Sequence, residues 1–202
     1  MTITYEVGSG LYVNTTNRCS NACEFCVRST VESYYGDLWL RREPTVDEIC
    51  ESIFARDLTK YIELVFCGYG EPTERIDDIL EVARRVKERS DLPIRINTNG
   101  QGSMIAGYDI TPKMAGLIDV LSISLNTADA ASYQKICHSR FGEAAYQGLL
   151  DFAKVATRYV PKVVLSVVDT TIPPEEIERC REIAAECGVS LRVREFISNE
   201  DE

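Results

Sequence analysis

The chain has 202 residues, 45% of them hydrophobic, which fits one domain with a full core. Its net charge of −10 argues against a broad nucleic-acid or anionic-membrane footprint. There is no apolar run of the ~18 residues or more that a membrane span needs, and Met1–Glu6 lacks the pattern of a signal peptide. A cytoplasmic protein with no membrane partner is therefore expected, its eight cysteines mostly reduced.

Short β-branched runs alternate with longer amphipathic segments. The first strand is expected over Leu11–Thr15. A run of three cysteines, Cys19, Cys23 and Cys26, follows it. Thr45-Val46-Asp47-Glu48 is a capping box, opening a helix from Val46 to about Leu58. A strand over Ile62–Cys67 leads into Gly68-Tyr69-Gly70-Glu71-Pro72. The segment Arg75–Arg89 carries Ile76, Ile79, Leu80, Val82, Ala83 and Val86 at helical spacing. A strand over Ile94–Thr98 runs into Asn99-Gly100, and Thr111-Pro112 opens a short helix. The strand Val120–Leu125 carries Ser124 at its end and is followed by Asn126 and Thr127. Helices over Asp129–Cys137 and Glu143–Tyr159 come next. The strand Lys162–Val168 runs into Asp169 and Thr170. Pro173-Pro174 opens a helix that Gly188 closes, and Leu191–Phe196 is the last strand. Residues 199–202 form a frayed acidic tail.

Strand and helix in alternation imply an α/β fold with a parallel sheet. Six strands are too few for an eight-fold barrel. The expectation is a single domain over residues 1–202, a partial (β/α)6 TIM-like barrel, with an open doubly wound sheet as the alternative. No outer helix follows the sixth strand, so a partner protein or the segment Val27–Glu43 is expected to cover the barrel mouth. In such folds chemistry gathers at the carboxyl ends of the strands. Five successive strand ends here carry glycines or polar side chains, on the same rim as the cysteine run.

The spacing Cys19-x3-Cys23-x2-Cys26 suits three irons of a 4Fe–4S cube, with the fourth iron left open to a ligand. A zinc site would ask for a second Cys or His pair, and the single histidine, His138, lies far off in sequence. Cys50, Cys137, Cys180 and Cys187 sit in helical patterns, where a free thiol packs as a small hydrophobe. Cys67 stands beside a candidate site, and packing beneath it is the expected role. Gly68, Tyr69 and Gly70 bring backbone close to a small molecule, and Glu71 suits an ammonium group. A glycine-rich turn with a solvated glutamate is the plainer reading. Thr98, Asn99, Ser124 and Asn126 read as ligand contacts or as turn and cap residues. The segment Val27–Glu43 holds Arg28, Tyr34, Tyr35, Trp39, Arg41 and Arg42, which suit an anionic or flat substrate or simply seal the mouth. His138 reads as a helix-end residue or a general acid–base.

The cysteine spacing and Phe25 resemble the cluster loop of the radical S-adenosylmethionine (SAM) superfamily. Gly70 and Glu71 resemble its Gly-Gly-Glu motif, with Tyr69 in place of the first glycine. Thr98-Asn99-Gly100 and Ser124-Leu125-Asn126 resemble its third and fourth strand ends. The resemblance implies a 4Fe–4S cluster on Cys19, Cys23 and Cys26, with SAM chelating the open iron. It also implies SAM contacts from Phe25, Gly68, Tyr69, Gly70, Glu71, Thr98, Asn99, Ser124 and Asn126. The implied activity is reductive cleavage of SAM to a 5′-deoxyadenosyl radical, which takes hydrogen from an unidentified small-molecule substrate. An electron donor such as flavodoxin or ferredoxin is implied as partner, and no C-terminal auxiliary cluster domain is expected. Segments 66–73, 123–127 and 141–143 are similar to the small TatD-associated members. Two alternatives stay open: activation of a partner protein, and an iron–sulfur electron-transfer protein without SAM chemistry.

Overall fold

Among the described residues seven strands make one sheet, and their order across it follows their order in the chain. The computed structural model describes residues 1–30 and 37–195. Strand β1 (Thr4–Val7) pairs antiparallel with β2 (Gly10–Val13). From β2 the sheet runs parallel through β3 (Glu63–Phe66), β4 (Ile94–Thr98), β5 (Val120–Ser124), β6 (Lys162–Val168) and β7 (Ser190–Arg194). The six expected strands are all present, and β1 is a seventh that corrects the count. It is four residues long and turns back through Gly8 at φ +55°, too short to give a period of its own. An order without reversal sends every right-handed crossover to one face of the sheet. A doubly wound sheet reverses at a switch point, so that alternative falls away.

The helices form for the reasons their ends display. Helix α1 (Val27–Thr30) follows the cysteine run and is not foreseen by periodicity. In α2 (Val46–Phe54), Glu48 N–H donates to Thr45 Oγ1, and the Glu48 carboxylate accepts from Thr45 N–H. It stops short of the expected Leu58 because Asp57 caps a separate 3-10 turn over Leu58–Lys60. A 3-10 turn over Pro72–Arg75 leads into α3 (Ile76–Lys87), whose buried face is the one its spacing predicts. Helix α4 (Gly102–Ala106) is short and unforeseen, and Thr111–Met114 makes a 3-10 turn. Asp129 caps α5 (Ala130–Cys137), then come α6 (Ala144–Ala156) and α7 (Pro174–Glu186).

Alternation along the strands separates two unlike faces. One face carries Leu11, Val13, Leu64, Phe66, Ile94, Ile96, Leu121, Ile123, Leu165 and Val167, all fully buried. They pack in one apolar core with Ile49, Ile53, Ile79, Val82, Leu149 and Ala153 of the helices. Each such side chain contributes about 1.5–3 kcal/mol of burial, so this face holds the fold together. The other face carries Tyr5, Tyr12, Arg95, Asn97, Ser122, Ser124, Ser166, Arg192 and Arg194. These residues, from β1 through β7, line one cavity of about 570 Å³, so the sheet curves around a polar hollow.

Candidate functional site

The cysteine loop leaves β2 and is fastened on three sides. Ala22 N–H donates to the Cys137 carbonyl and Glu24 N–H to that of Ile136, both at 3.0 Å. These are carbonyls from the last turn of α5, otherwise without helical partners. Arg140 N–H donates to Ser20 O at 2.9 Å, and Glu71 N–H to Arg18 O at 2.7 Å. A buried side-chain network completes the hold, centred on Gln101. Its Oε1 accepts from Ser20 Oγ (2.8 Å) and Ser139 Oγ (3.0 Å). Its Nε2 donates to Asn21 Oδ1 (2.9 Å) and Tyr133 OH (3.0 Å). All four hydrogen-bonding positions of this amide are thus used. Asn21 Nδ2 also donates to Tyr133 OH, and Asn99 Nδ2 to Ser20 Oγ. Gln101, Asn21, Ser20, Tyr133 and Ser139 are supports that sequence reasoning missed, because nothing local marks residues that meet only in space.

The rim opposite the loop is organised by Glu71, which is 4% exposed. Its Oε1 accepts from Thr73 N–H (3.0 Å), Thr73 Oγ1 (2.6 Å) and Thr98 Oγ1 (2.7 Å). Its Oε2 accepts from Asn99 N–H at 2.7 Å. Glu71 therefore ties the end of β3 to the end of β4 and keeps acceptor capacity on Oε2. Burial pushes its carboxyl above the ordinary value, while the four donors pull it down. Thr98 spends its hydroxyl on Glu71 and accepts from Gly100 N–H. The glycines serve chain against chain. A Cβ at Gly70 would lie 2.2 Å from Thr16 O and 2.7 Å from Arg18 O. One at Gly68 would meet Asn14 Oδ1 at 2.2 Å. Asn126 adopts φ +66° after β5, is 2% exposed and donates through Nδ2 to Cys137 Sγ at 3.4 Å.

Cys19, Cys23 and Cys26 line one cavity of about 230 Å³ together with Phe25, Gly68, Tyr69, Gly70, Glu71, Thr98, Asn99, Ser124 and Asn126. All twelve residues singled out from the sequence thus border a single space, although they come from four segments of the chain. The thiols are protonated in the free protein. Burial, with the Glu71 charge behind it, pushes Cys19 up to about 12. Its hydrogen bond with Cys137 and its burial raise Cys23, and burial raises Cys26. A metal must therefore displace these protons on binding. Among the described residues no three His, Cys, Asp or Glu side chains converge on one ion. Three sulfurs spaced around a cavity suit a cluster, in which each meets a different iron, better than one tetrahedral ion. Two buried acceptors on this wall, Asn97 Oδ1 and Asn126 Oδ1, have no partner among the described residues, as fits a ligand that brings donors.

Other candidates lie elsewhere. Tyr34 and Tyr35 fall outside the described residues. Arg28 donates to Asn21 O, and Arg42 pairs with Glu48, so neither faces the cavity. Trp39 packs edge-on against Tyr69 with ring centroids 5.2 Å apart. His138 caps α5 at φ +46° and lies 3.1 Å from Glu24. Asp169 opens a 3-10 turn after β6, while Ser166 lines the hollow and Val168 the cysteine cavity. Cys50, Cys137, Cys180 and Cys187 are buried in the core. Cys67 lines both cavities.

Residues 13–187 match the family model of the Radical SAM superfamily. No curated protein matches the chain. Among solved structures, Streptococcus suis SuiB bound to the precursor peptide SuiA superposes with a TM-score of 0.70 at 17% identity, over 94% of this chain and 39% of that one. Methylornithine synthase PylB gives 0.64 at 18% identity, over 95% and 54%. The FeFe-hydrogenase maturase HydG from Carboxydothermus hydrogenoformans gives 0.67 at 14% identity, over 93% and 44%. The chain thus spans between 39% and 54% of the length of these proteins, and what it shares with them is the fold.

Proposed function

The chain belongs to the radical SAM superfamily, and we propose that Cys19, Cys23 and Cys26 make it the cluster-bearing core of an enzyme acting on a small molecule. Its cofactors are those of the family, a 4Fe–4S cluster and SAM. When bound, they supply a 5′-deoxyadenosyl radical for hydrogen abstraction. The observation that carries the reading is the meeting of three thiols from one loop with the polar ends of β3, β4 and β5 around one cavity.

The chain's own residues divide the work. Cys19, Cys23 and Cys26 give up their protons and hold the cluster. Gln101 and the α5 carbonyls keep the loop in place as they do so. Glu71 offers Oε2 to the methionyl ammonium, already oriented by Asn99 N–H. Asn126 Oδ1 and Asn97 Oδ1 accept from ribose hydroxyls or amine donors. Phe25 and Tyr69 form apolar wall and help exclude water.

Within the superfamily the segments 66–73, 123–127 and 141–143 support a place among the small TatD-associated members. We read the curved sheet as a partial (β/α)6 barrel, one core domain of the family. None of the described helices is long and apolar enough to cross a membrane, which agrees with a cytoplasmic setting. Flavodoxin or ferredoxin is the proposed electron donor. A hollow of about 570 Å³ favours a small substrate over a partner protein.

The test is electron paramagnetic resonance of anaerobically reconstituted, reduced protein. A cluster signal whose shape changes on adding SAM is expected. A signal indifferent to SAM would return the protein to electron transfer, and no cluster after sound reconstitution would remove the reading altogether.

A further inference from the structure

The polar hollow below the cysteine cavity carries charge of the opposite sign to the protein as a whole. Three arginines face it, Arg95 from β4 and Arg192 and Arg194 from β7, in a chain of net charge −10. Arg95 is 9% exposed and is paired on one side only. Its Nη2 lies 2.8 Å from Glu63 Oε1 and donates to Tyr12 OH at 3.1 Å, while its buried Nε has no partner. Arg194 Nε is likewise buried and unpartnered among the described residues. The side chains of Arg192 and Arg194 make no ion pair or hydrogen bond among the described residues. Burial lowers the Arg194 guanidinium from its ordinary value, with Arg192 and Arg95 adding to the effect. Among the described residues the one acidic side chain lining the hollow is Glu195, which is exposed.

The buried Nε donors of Arg95 and Arg194 are costly to leave unmade, and Arg192, exposed at the edge of the sheet, adds a third cation to the same concave wall. An oxyanion answers both. Planar guanidinium groups match carboxylate and phosphate oxygens in pairs. The hollow, about 570 Å³, is of the size that takes small ligands and is too small for a nucleic acid. It joins the cysteine cavity through Cys67, Asn97, Ser124 and Arg194, which line both. An anion seated low in the hollow would leave the rest of its molecule pointing up toward the cysteine rim.

We propose that Arg95, Arg192 and Arg194 form the substrate's anion site, so that the substrate is a small molecule bearing a carboxylate or phosphate. This rests on the functional reading above, with the hollow as its substrate chamber. The test uses reconstituted protein saturated with SAM, so that SAM's own carboxylate site is filled. Inorganic phosphate and malonate are titrated separately by calorimetry at constant ionic strength, with chloride as control. Saturable binding of at least one is expected, weakened about tenfold or more in Arg192→Ala and in Arg194→Ala. Arg194→Lys, which keeps the charge without the fork, should recover part of the loss and guards against a folding defect. Phosphate alone binding would mark a phosphate ester, and malonate alone a carboxylate; either supports the site. Binding equal to chloride, binding unchanged in both alanine variants, or binding lost on SAM saturation would overturn it. Should the protein take up no cluster, the same titration on the metal-free protein still tests the anion site, so the two readings fail separately.

Discussion

Replacing Gln101 by leucine should loosen the cysteine loop without touching a cysteine. The side chain is fully buried and its amide makes four hydrogen bonds, at 2.8, 3.0, 2.9 and 3.0 Å. Leucine fills nearly the same volume, so the cost is polar rather than a cavity. Ser20 Oγ still accepts from Asn99 Nδ2, and Tyr133 OH still accepts from Asn21 Nδ2. Asn21 Oδ1 loses its donor, and the Ser20 and Ser139 hydroxyl protons lose their acceptor. Three buried groups left unmade, at about 1–3 kcal/mol each, give a loss of about 3–9 kcal/mol. That is a large part of the ~5–15 kcal/mol by which a domain is stable. Urea denaturation of the metal-free protein would measure it, and iron content after reconstitution would read the consequence at the loop. Both should fall, with Gln101→Glu intermediate because it keeps an acceptor for the two serines. A leucine variant within about 1 kcal/mol of wild type and with full iron would show that the network does not support the loop.

Three further outcomes follow from the same geometry. Cys19→Ala, Cys23→Ala and Cys26→Ala should each lose the cluster absorbance, whereas Cys137→Ala and Cys180→Ala should keep it; iron loss in Cys137→Ala would make that thiol a ligand. Gly70→Ala should destabilise more than Gly68→Ala although both Cβ atoms would meet an oxygen at 2.2 Å, because Gly70 faces backbone and Gly68 an asparagine side chain that can turn. The expected gap is about 1–3 kcal/mol by thermal unfolding, and equal losses would refute it. Burial raises the Glu71 carboxyl above 4.5, so the folded protein binds that proton more tightly than the unfolded chain does. Glu71's contribution is then full below 4.5 and falls as pH rises through the raised value. The stability of wild type relative to Glu71→Gln should shrink over that range, and a constant difference would refute the shift.

Much of the fold was legible because its apolar face is continuous. Runs such as Ile94–Thr98 and Lys162–Val168 announce strands, and α3 shows its buried face in its spacing. The rim was legible because the strand-end rule turns a linear list of polar residues into neighbours, and Cys19, Glu71, Asn99 and Ser124 do border one cavity. The supports were not legible. Ser20, Gln101 and Ser139 are ordinary residues in loops, and only the folded chain brings both serine hydroxyls to Gln101 Oε1, at 2.8 and 3.0 Å.

The arginines of the hollow were hidden for a different reason. Alternation of Arg95 with Ile94 and Ile96, and of Arg192 and Arg194 with Val193, is the pattern of a strand with one face in water. In a flat sheet that reading is correct, and such arginines are solvated. Here the sheet curves, so the face that alternation marks as outward encloses a space shared by β1 and β7. Curvature is not written in period-two alternation; it comes from strand twist and from the packing of helices on the apolar face. The same residues therefore change setting between sequence and fold, from an expected solvated face to the wall of the hollow proposed above as an anion site. Of the loop arginines Arg28, Arg41 and Arg42, which the sequence offered equally for an anion or for sealing the mouth, Arg28 donates to Asn21 O and Arg42 pairs with Glu48. Arg28 and Arg42 thus serve local structure, while the buried Nε donors of Arg95 and Arg194 are left without a partner among the described residues, beside the cavity.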